Sequence, residues 1–231
     1  MALTLEHRVF VVTGGFGTLG RALADVLGQQ GALLALIDRA QMPPDMQETE
    51  RTCLLGGIDL GVHAALDSAL LQIVRRWQRI DGLVNVAGGF AWESVGQGSL
   101  ETWDRMYSMN LRSAVAASQA VLPHLSAGGR IVNVGAVAAL RAAGGMGAYA
   151  ASKAGVLRFT EALAEELKDR GVTVNAVLPS IIDTPANRAD MPKADFDRWV
   201  TPQALSRVVA FLLSDDAAAI TGACLPVTGR V

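Results

Sequence analysis

Short runs of apolar residues, each bounded by glycine, aspartate or asparagine, recur at residues 8–13, 32–37, 52–55, 82–86, 130–134, 172–178 and 224–227. Their length and continuity predict strands buried on both faces, because a strand with one wet face would alternate apolar and polar positions. Between these runs the apolar spacing changes to three and four residues, which predicts helices over 19–30, 62–78, 100–125, 149–170 and 202–213. Alternating strand and helix implies a parallel sheet covered on both sides, so the expected class is α/β, doubly wound, with a central, mostly seven-stranded sheet. The polar, proline-containing stretch 40–51 reads as a loop, and 184–199, with Pro185, Pro192 and many charges, as a longer excursion placed to act as a lid.

Composition narrows the class without naming a chemistry. A chain of 231 residues is long enough for a full core and is expected to form one domain over 1–231. Hydrophobic residues make up 51% and the net charge is −2 with no cluster of Lys and Arg, which argues against a nucleic-acid partner. Cys53 and Cys224 form no C-x-x-C pair, and His7, His63 and His124 lie far apart, so neither a metal site nor a disulfide framework is expected. No apolar run is long enough to span a bilayer and the N-terminus lacks a signal-peptide layout, so no membrane partner is expected and the expected compartment is the cytoplasm.

Candidate chemistry begins at Thr13-Gly14-Gly15-Phe16-Gly17-Thr18-Leu19-Gly20, which follows the first strand and opens the first helix. In that position glycines let backbone N–H groups approach a pyrophosphate, and the helix N-terminus adds unpaired donors and a positive dipole end. The fold expected is therefore of Rossmann type, with a dinucleotide on the first strand-turn-helix unit. Asp38 ends the second strand about twenty residues further on, where a carboxylate accepts from an adenosine ribose and repels a 2′-phosphate. That favours NAD(H) over NADP(H), although the adjoining Arg39 would suit a 2′-phosphate. Tyr149 and Lys153 are four residues apart on a predicted helix, which stacks a phenol and an ammonium on one face. A cation beside a phenol favours the phenolate, so the expected consequence is a tyrosine tuned downward for proton transfer.

With these residues placed, the chain resembles the short-chain dehydrogenase/reductase family over essentially its whole length. The resemblance implies that Gly14, Phe16, Gly17, Thr18, Leu19 and Gly20 hold the pyrophosphate and that Asp59 and Leu60 hold adenine. It further places Asn85, Ala87 and Gly88 beside the cofactor at the end of the fourth strand, and Pro179, Ile182 and Thr184 at the nicotinamide carboxamide. Tyr149 would be the acid/base, Lys153 would bind the nicotinamide ribose and lower the tyrosine pKa, and Asn110 would position a relay water. The same resemblance implies a small-molecule substrate and a symmetric homotetramer or homodimer built on the helices at 100–125 and 149–170.

Three departures accompany the match. Gly17 stands one residue before the usual middle glycine, Ser180 replaces the usual glycine after Pro179, and Ala136 occupies the place, thirteen residues before Tyr149, of the substrate-orienting serine. No Ser or Thr lies between Ala136 and Tyr149. Losing a preorganised donor of that kind costs on the order of 3 kcal/mol of transition-state stabilisation. In this respect the chain is similar to the dihydropteridine reductases, which also share features with 86–90 and 183–199. The resulting expectation is an NAD(P)(H)-dependent oxidoreductase acting on a carbonyl/alcohol or a quinonoid dihydropteridine-like substrate, with Phe90, Trp92, Met146 and Trp199 as candidate pocket walls. A catalytically weak or inactive NAD-binding sensor or scaffold is the competing expectation.

Overall fold

The computed structural model describes residues 5–231. Seven strands form one all-parallel sheet in the order β3-β2-β1-β4-β5-β6-β7: β1 Val9–Thr13, β2 Leu33–Ile37, β3 Thr52–Leu55, β4 Ile80–Asn85, β5 Leu125–Val134, β6 Thr173–Pro179 and β7 Cys224–Val227. The strands read as continuous apolar runs because both faces are covered. Phe10 and Val12 turn toward α1 (Thr18–Gln29) and α7 (Pro202–Leu213), meeting Leu23, Leu27, Leu205 and Val209. Val9 and Val11 turn the other way, toward α2 (His63–Trp77), α4 (Ser113–Val121) and α5 (Gly147–Leu167), meeting Leu66, Ile73, Val121 and Leu163. The strand order reverses between β1 and β4, and the crevice above that junction is where open α/β sheets bind ligands.

Two predicted elements differ. The helix expected over 100–125 is α3 (Leu100–Met106), a π-helical turn (Tyr107–Arg112) and α4, ending at Val121. The Ser113 hydroxyl donates to the Met109 carbonyl at 2.6 Å inside this widened turn, and Pro123, which has no N–H to donate, breaks the helical hydrogen-bond ladder just beyond α4. Strand β5 accordingly begins at Leu125 rather than at 130, with Gly128 at φ +71° and a register shift against β4 between Ile80 and Gly82. The excursion at 184–199 carries a short helix, α6 (Pro185–Asp190), capped by Thr184, whose Oγ1 accepts from the Asn187 N–H at 3.2 Å. Arg188 grips Asp183 through two hydrogen bonds of 2.6 and 2.8 Å and lies over the Phe196 ring. At 40–51 the chain is a loop as expected, and Glu48 covers the outer edge of β3 by accepting from the Leu54 N–H at 2.8 Å.

Candidate active site

The glycine turn is shaped by close backbone approaches. Gly14 sits at φ +66°, and a Cβ there would fall 2.9 Å from the Ala87 nitrogen; a Cβ on Gly20 would fall 2.4 Å from the Gly14 carbonyl oxygen. Gly17 is different. A Cβ there would meet only the Gly14 oxygen at 3.5 Å, so the protein itself does not demand glycine, and the missing side chain leaves room on the cleft side. No side chain caps α1, so its first-turn N–H groups remain available to an anion. Asp38 is held against this turn: its Oδ2 accepts from the Phe16 N–H at 3.0 Å and its Oδ1 from the Ala40 N–H at 2.9 Å. Thr13, which sequence reasoning did not single out, ties the two halves of the crevice together, its Oγ1 accepting from the N–H groups of Val86 and Ala87 at 3.2 Å each.

A cleft of about 590 Å³ opens above the turn, lined by Gly14, Gly17 to Gly20, Asp38, Arg39, Asp59, Leu60, Ala87, Gly88 and Thr184 among the expected residues. That volume falls within the range of small-molecule sites. Ile58, Gly61, Val62, Ser108, Met109, Arg112 and Ser113 also line it and had no signal beyond their nearness in sequence to expected positions. Other expected residues do not face the cleft. The Phe16 ring is buried in the core; Ile182 packs on the same core and pairs with Val200; Pro179 ends β6 opposite Val227. The Asn85 amide turns beneath the sheet edge and donates to Ser118 Oγ at 3.2 Å and to Asn133 Oδ1 at 2.8 Å, while Asn133 donates to Thr160 Oγ1 on α5 at 2.8 Å. This buried chain fixes α5 against β4 and β5.

Helix α5 carries Tyr149 and Lys153 one turn apart, and α5, the π turn and the segment after β4 meet around Gly88. A Cβ on Gly88 would stand 2.6 Å from Asn110 Oδ1 and 3.4 Å from Lys153 Nζ. The Asn110 amide is committed to protein partners: Oδ1 accepts from the Gly89 N–H at 2.8 Å, and Nδ2 donates to the Gly89 carbonyl at 3.1 Å and to Ser152 Oγ at 2.9 Å. The Ser152 hydroxyl in turn donates to the Tyr149 carbonyl at 2.7 Å. Asn110 thus braces the helix that presents the tyrosine, through Ser152, another residue missed in the sequence.

The expected electrostatics of the pair are corrected here. Burial pushes the Tyr149 phenol up to about 12, and burial pulls the Lys153 ammonium down to about 8. The lysine donates to the Val134 carbonyl at 2.7 Å, so its charge is engaged there while desolvation dominates at the phenol. Four-residue spacing places both groups on one helix face, but their depth decides their acidity.

Above Tyr149 the Phe90 ring meets the tyrosine edge to face, centroids 4.9 Å apart at 79°. Trp92 donates from Nε1 to the Gly144 carbonyl at 3.1 Å, and the Glu93 N–H donates to the Gly145 carbonyl at 2.8 Å, pinning this strap to the loop before α5. Gly145, at φ +77°, would carry a Cβ 2.2 Å from the Trp92 ring, so glycine is required there twice over. Phe90, Trp92 and Leu140 remain exposed. Trp199, a candidate pocket wall, is buried instead, packed on Phe196 at 4.8 Å within the 184–199 excursion. Ala136 is buried on extended backbone at φ −163°, its carbonyl accepting from the Ala139 N–H at 3.0 Å. Ser180 does not replace the missing hydroxyl, since it donates to the Thr228 carbonyl at 2.7 Å.

A parallel sheet with a glycine turn at its switch point and a tyrosine-lysine helix beside it defines a dinucleotide-type site. The short chain dehydrogenase family profile matches residues 8–195. The chain is 31% identical to a 3-oxoacyl-[acyl-carrier-protein] reductase, FabG, of Thermotoga maritima, over 98% of each chain. Among solved structures, a 3-ketoacyl-(acyl-carrier-protein) reductase of Brucella melitensis complexed with NADH superposes with a TM-score of 0.87 at 26% identity, covering 98% of this chain and 99% of that one. A short chain dehydrogenase of Burkholderia cenocepacia in complex with NADP superposes with a TM-score of 0.86 at 31% identity, covering 97% and 98%. The chain belongs to the short-chain dehydrogenase family of oxidoreductases.

Proposed function

We propose that this protein transfers hydride between a nicotinamide dinucleotide and a small acceptor, with Tyr149 as the group that gives or takes the proton. The observation that carries this reading is the continuity of the glycine-turn cleft with the cluster at Gly88, where Asn110 and Lys153 meet beside the helix bearing Tyr149. The residues present fit a dinucleotide: the open flank at Gly17 and the uncapped α1 suit a pyrophosphate, and Asp38 lines the cleft. When bound, the nicotinamide supplies or accepts the hydride. Tyr149 moves a proton at its phenolic oxygen, Lys153 holds its ammonium at the Val134 carbonyl beside Gly88, and Asn110 holds the helix in position.

Asp38 supports NAD(H) as the preferred form. Its carboxylate is oriented by two backbone donors and lies where a 2′-phosphate would be repelled, whereas Arg39 on the same wall is the feature that would welcome one. NADH is expected to bind about tenfold more tightly than NADPH, and Asp38→Ala to narrow the gap. Fluorescence titration with both cofactors measures this, and tighter NADPH binding would overturn the preference.

Ala136 supports an acceptor that needs no polarising hydroxyl, such as a quinonoid dihydropterin or another conjugated, electron-poor ring, in preference to a plain ketone. NADH oxidation with quinonoid dihydropterin, quinones and a carbonyl panel tests this directly. Ala136→Ser is expected to raise ketone reduction by one to two orders of magnitude, as a restored transition-state donor should; no gain on any ketone would show that the pocket excludes carbonyl substrates for another reason. The same missing hydroxyl is the one feature that favours a binding-only sensor, and silence across the whole panel despite tight NADH binding is the result that would select it. We further infer a homodimer or homotetramer, supported by the apolar Leu100, Trp103 and Tyr107 exposed along α3 and the π turn.

A further inference from the structure

Between β4 and α3 the chain runs from Val86 to Ser99 with one turn and no other regular structure. A stretch of that kind keeps its shape only where side chains tie it down. At one end Asn110 holds Gly89 through both of its amide groups; at the other the Glu93 carboxylate accepts from the Ser99 N–H at 3.3 Å. Between these anchors lie Phe90, whose ring meets Tyr149, and Trp92. Trp92 is 66% exposed, so its ring adds little to the core, yet it is held firmly. Its Nε1 donates to the Gly144 carbonyl, its ring covers the bare α-carbon of Gly145, and the adjoining Glu93 N–H donates to the Gly145 carbonyl. The seat fits this ring. Gly145 combines φ +77° with no space for a Cβ, whereas at Gly144 beside it nothing lies within 4 Å of the place a Cβ would take. Further along, the Trp103 and Val95 side chains stand 3.3 and 3.6 Å from where a Cβ on Gly147 would be, so the stretch is seated again at the start of α5.

An exposed indole with a committed donor and a dedicated seat fixes local geometry more than it stabilises the fold. Phe90, two residues before it, is itself 54% exposed, so core packing does not set its position either. The tie nearest to it on the far side from Gly89 is Trp92. We infer that Trp92 is a positioning residue: clasped on Gly144 and Gly145, it keeps the Phe90 ring against Tyr149 and so holds the phenol in place for proton transfer. On this account Trp92 acts through Phe90 and is not a wall that the acceptor touches. The proton step rests on the hydride-transfer reading above, whereas the clasp is a matter of geometry alone. Burial, the sole cause of the raised phenol pKa, accords with an apolar ring lying over Tyr149.

The sequence holds two tyrosines, Tyr107 and Tyr149, so protein labelled with fluorotyrosine gives two fluorine resonances, assigned with Tyr149→Phe. Phe90→Leu removes the ring contact and marks where the Tyr149 resonance goes when that contact is lost. Trp92→Ala is expected to move the resonance most of the way to the same place. Trp92→Phe, which keeps a ring for the Gly145 seat but no donor, should move it part of the way and carries the test if the alanine variant does not fold. A Tyr149 resonance that stays at its wild-type position overturns the inference whatever the activity. In NADH oxidation with menadione as acceptor, Trp92→Ala is expected to lower kcat about tenfold, as misplacement of a reacting group does, with KM for NADH within about twofold. The solvent deuterium isotope effect on kcat should rise, which a loss of folded protein would not produce. Because the effect runs through Phe90, adding Trp92→Ala to Phe90→Leu should cost less than about twofold more. Full additivity, or a loss confined to KM for menadione, would make Trp92 an acceptor contact and overturn its positioning role. A wild type that turns over neither menadione nor any other acceptor overturns the hydride-transfer reading instead, and the fluorine spectrum still decides the clasp.

Discussion

Replacing Tyr149 by phenylalanine is expected to lower turnover by at least a thousandfold while changing NADH affinity less than twofold. Positioned proton transfer contributes about 10²–10⁴-fold, and here no second hydroxyl stands by to share it, since Ala136 is apolar and Ser180 is tied to Thr228. The ring itself stays, keeping its edge-to-face contact with Phe90 and its place on α5. The phenolic oxygen has no hydrogen-bond partner among the described residues, so its removal leaves nothing unsatisfied and thermal stability should be unchanged or slightly raised. Steady-state rates beside a cofactor titration and a melting curve separate the three effects. Turnover within tenfold of wild type would remove Tyr149 from the mechanism.

Lys153→Met is expected to trade function for stability. The buried ammonium titrates at about 8 instead of 10.5, which means the unfolded chain binds that proton more tightly than the folded one. The cost of burying the charge is therefore full below pH 8 and fades as pH rises toward 10.5. A shift of that size corresponds to about 3 kcal/mol, and losing the donor to the Val134 carbonyl offsets about 1–2 kcal/mol of the gain. A methionine of similar length should accordingly raise the melting temperature by roughly 2–6 °C at pH 7, with the advantage gone near pH 10. Turnover should fall at least a hundredfold, because the ammonium beside Gly88 is lost. In wild type, reductive kcat/KM is expected to decline above pH 8 as Lys153 loses its proton, a limb absent from the variant's residual rate. Calorimetry from pH 6 to 10 and the two pH profiles check these outcomes; a variant destabilised at pH 7 and not at pH 10 would reverse the sign of the argument.

The parts of the site that were readable in the chain share one property: each is local. Gly14 to Gly20 follow a strand and begin a helix within eight residues, and Tyr149 and Lys153 lie one helical turn apart, so periodicity alone sets their relation. Asn110 was legible as a position, although not the brace it forms through Ser152 and Gly89, which joins three segments far apart in sequence. The π turn beneath it was hidden because a single extra residue in a turn leaves the apolar spacing of 100–125 almost unchanged. An aromatic near a proline-rich excursion carries no sign of which way it points, so the sequence offers Trp199 as a pocket wall, whereas the Phe196 contact turns it inward.

By itself the sequence determined the class of fold, the glycine-rich strand-turn-helix, the absence of a hydroxyl at Ala136, and the pairing of phenol and amine on one helix. These follow from spacing and side-chain chemistry, which do not change with what lies across the sheet. The tertiary structure decided which residues share the cleft, the inward turn of Asn85 and the seating of Trp92 on Gly145. It also decided the acidity of Tyr149 and Lys153, because the free energy of a charge depends on how much water and how many dipoles surround it, and only packing sets that.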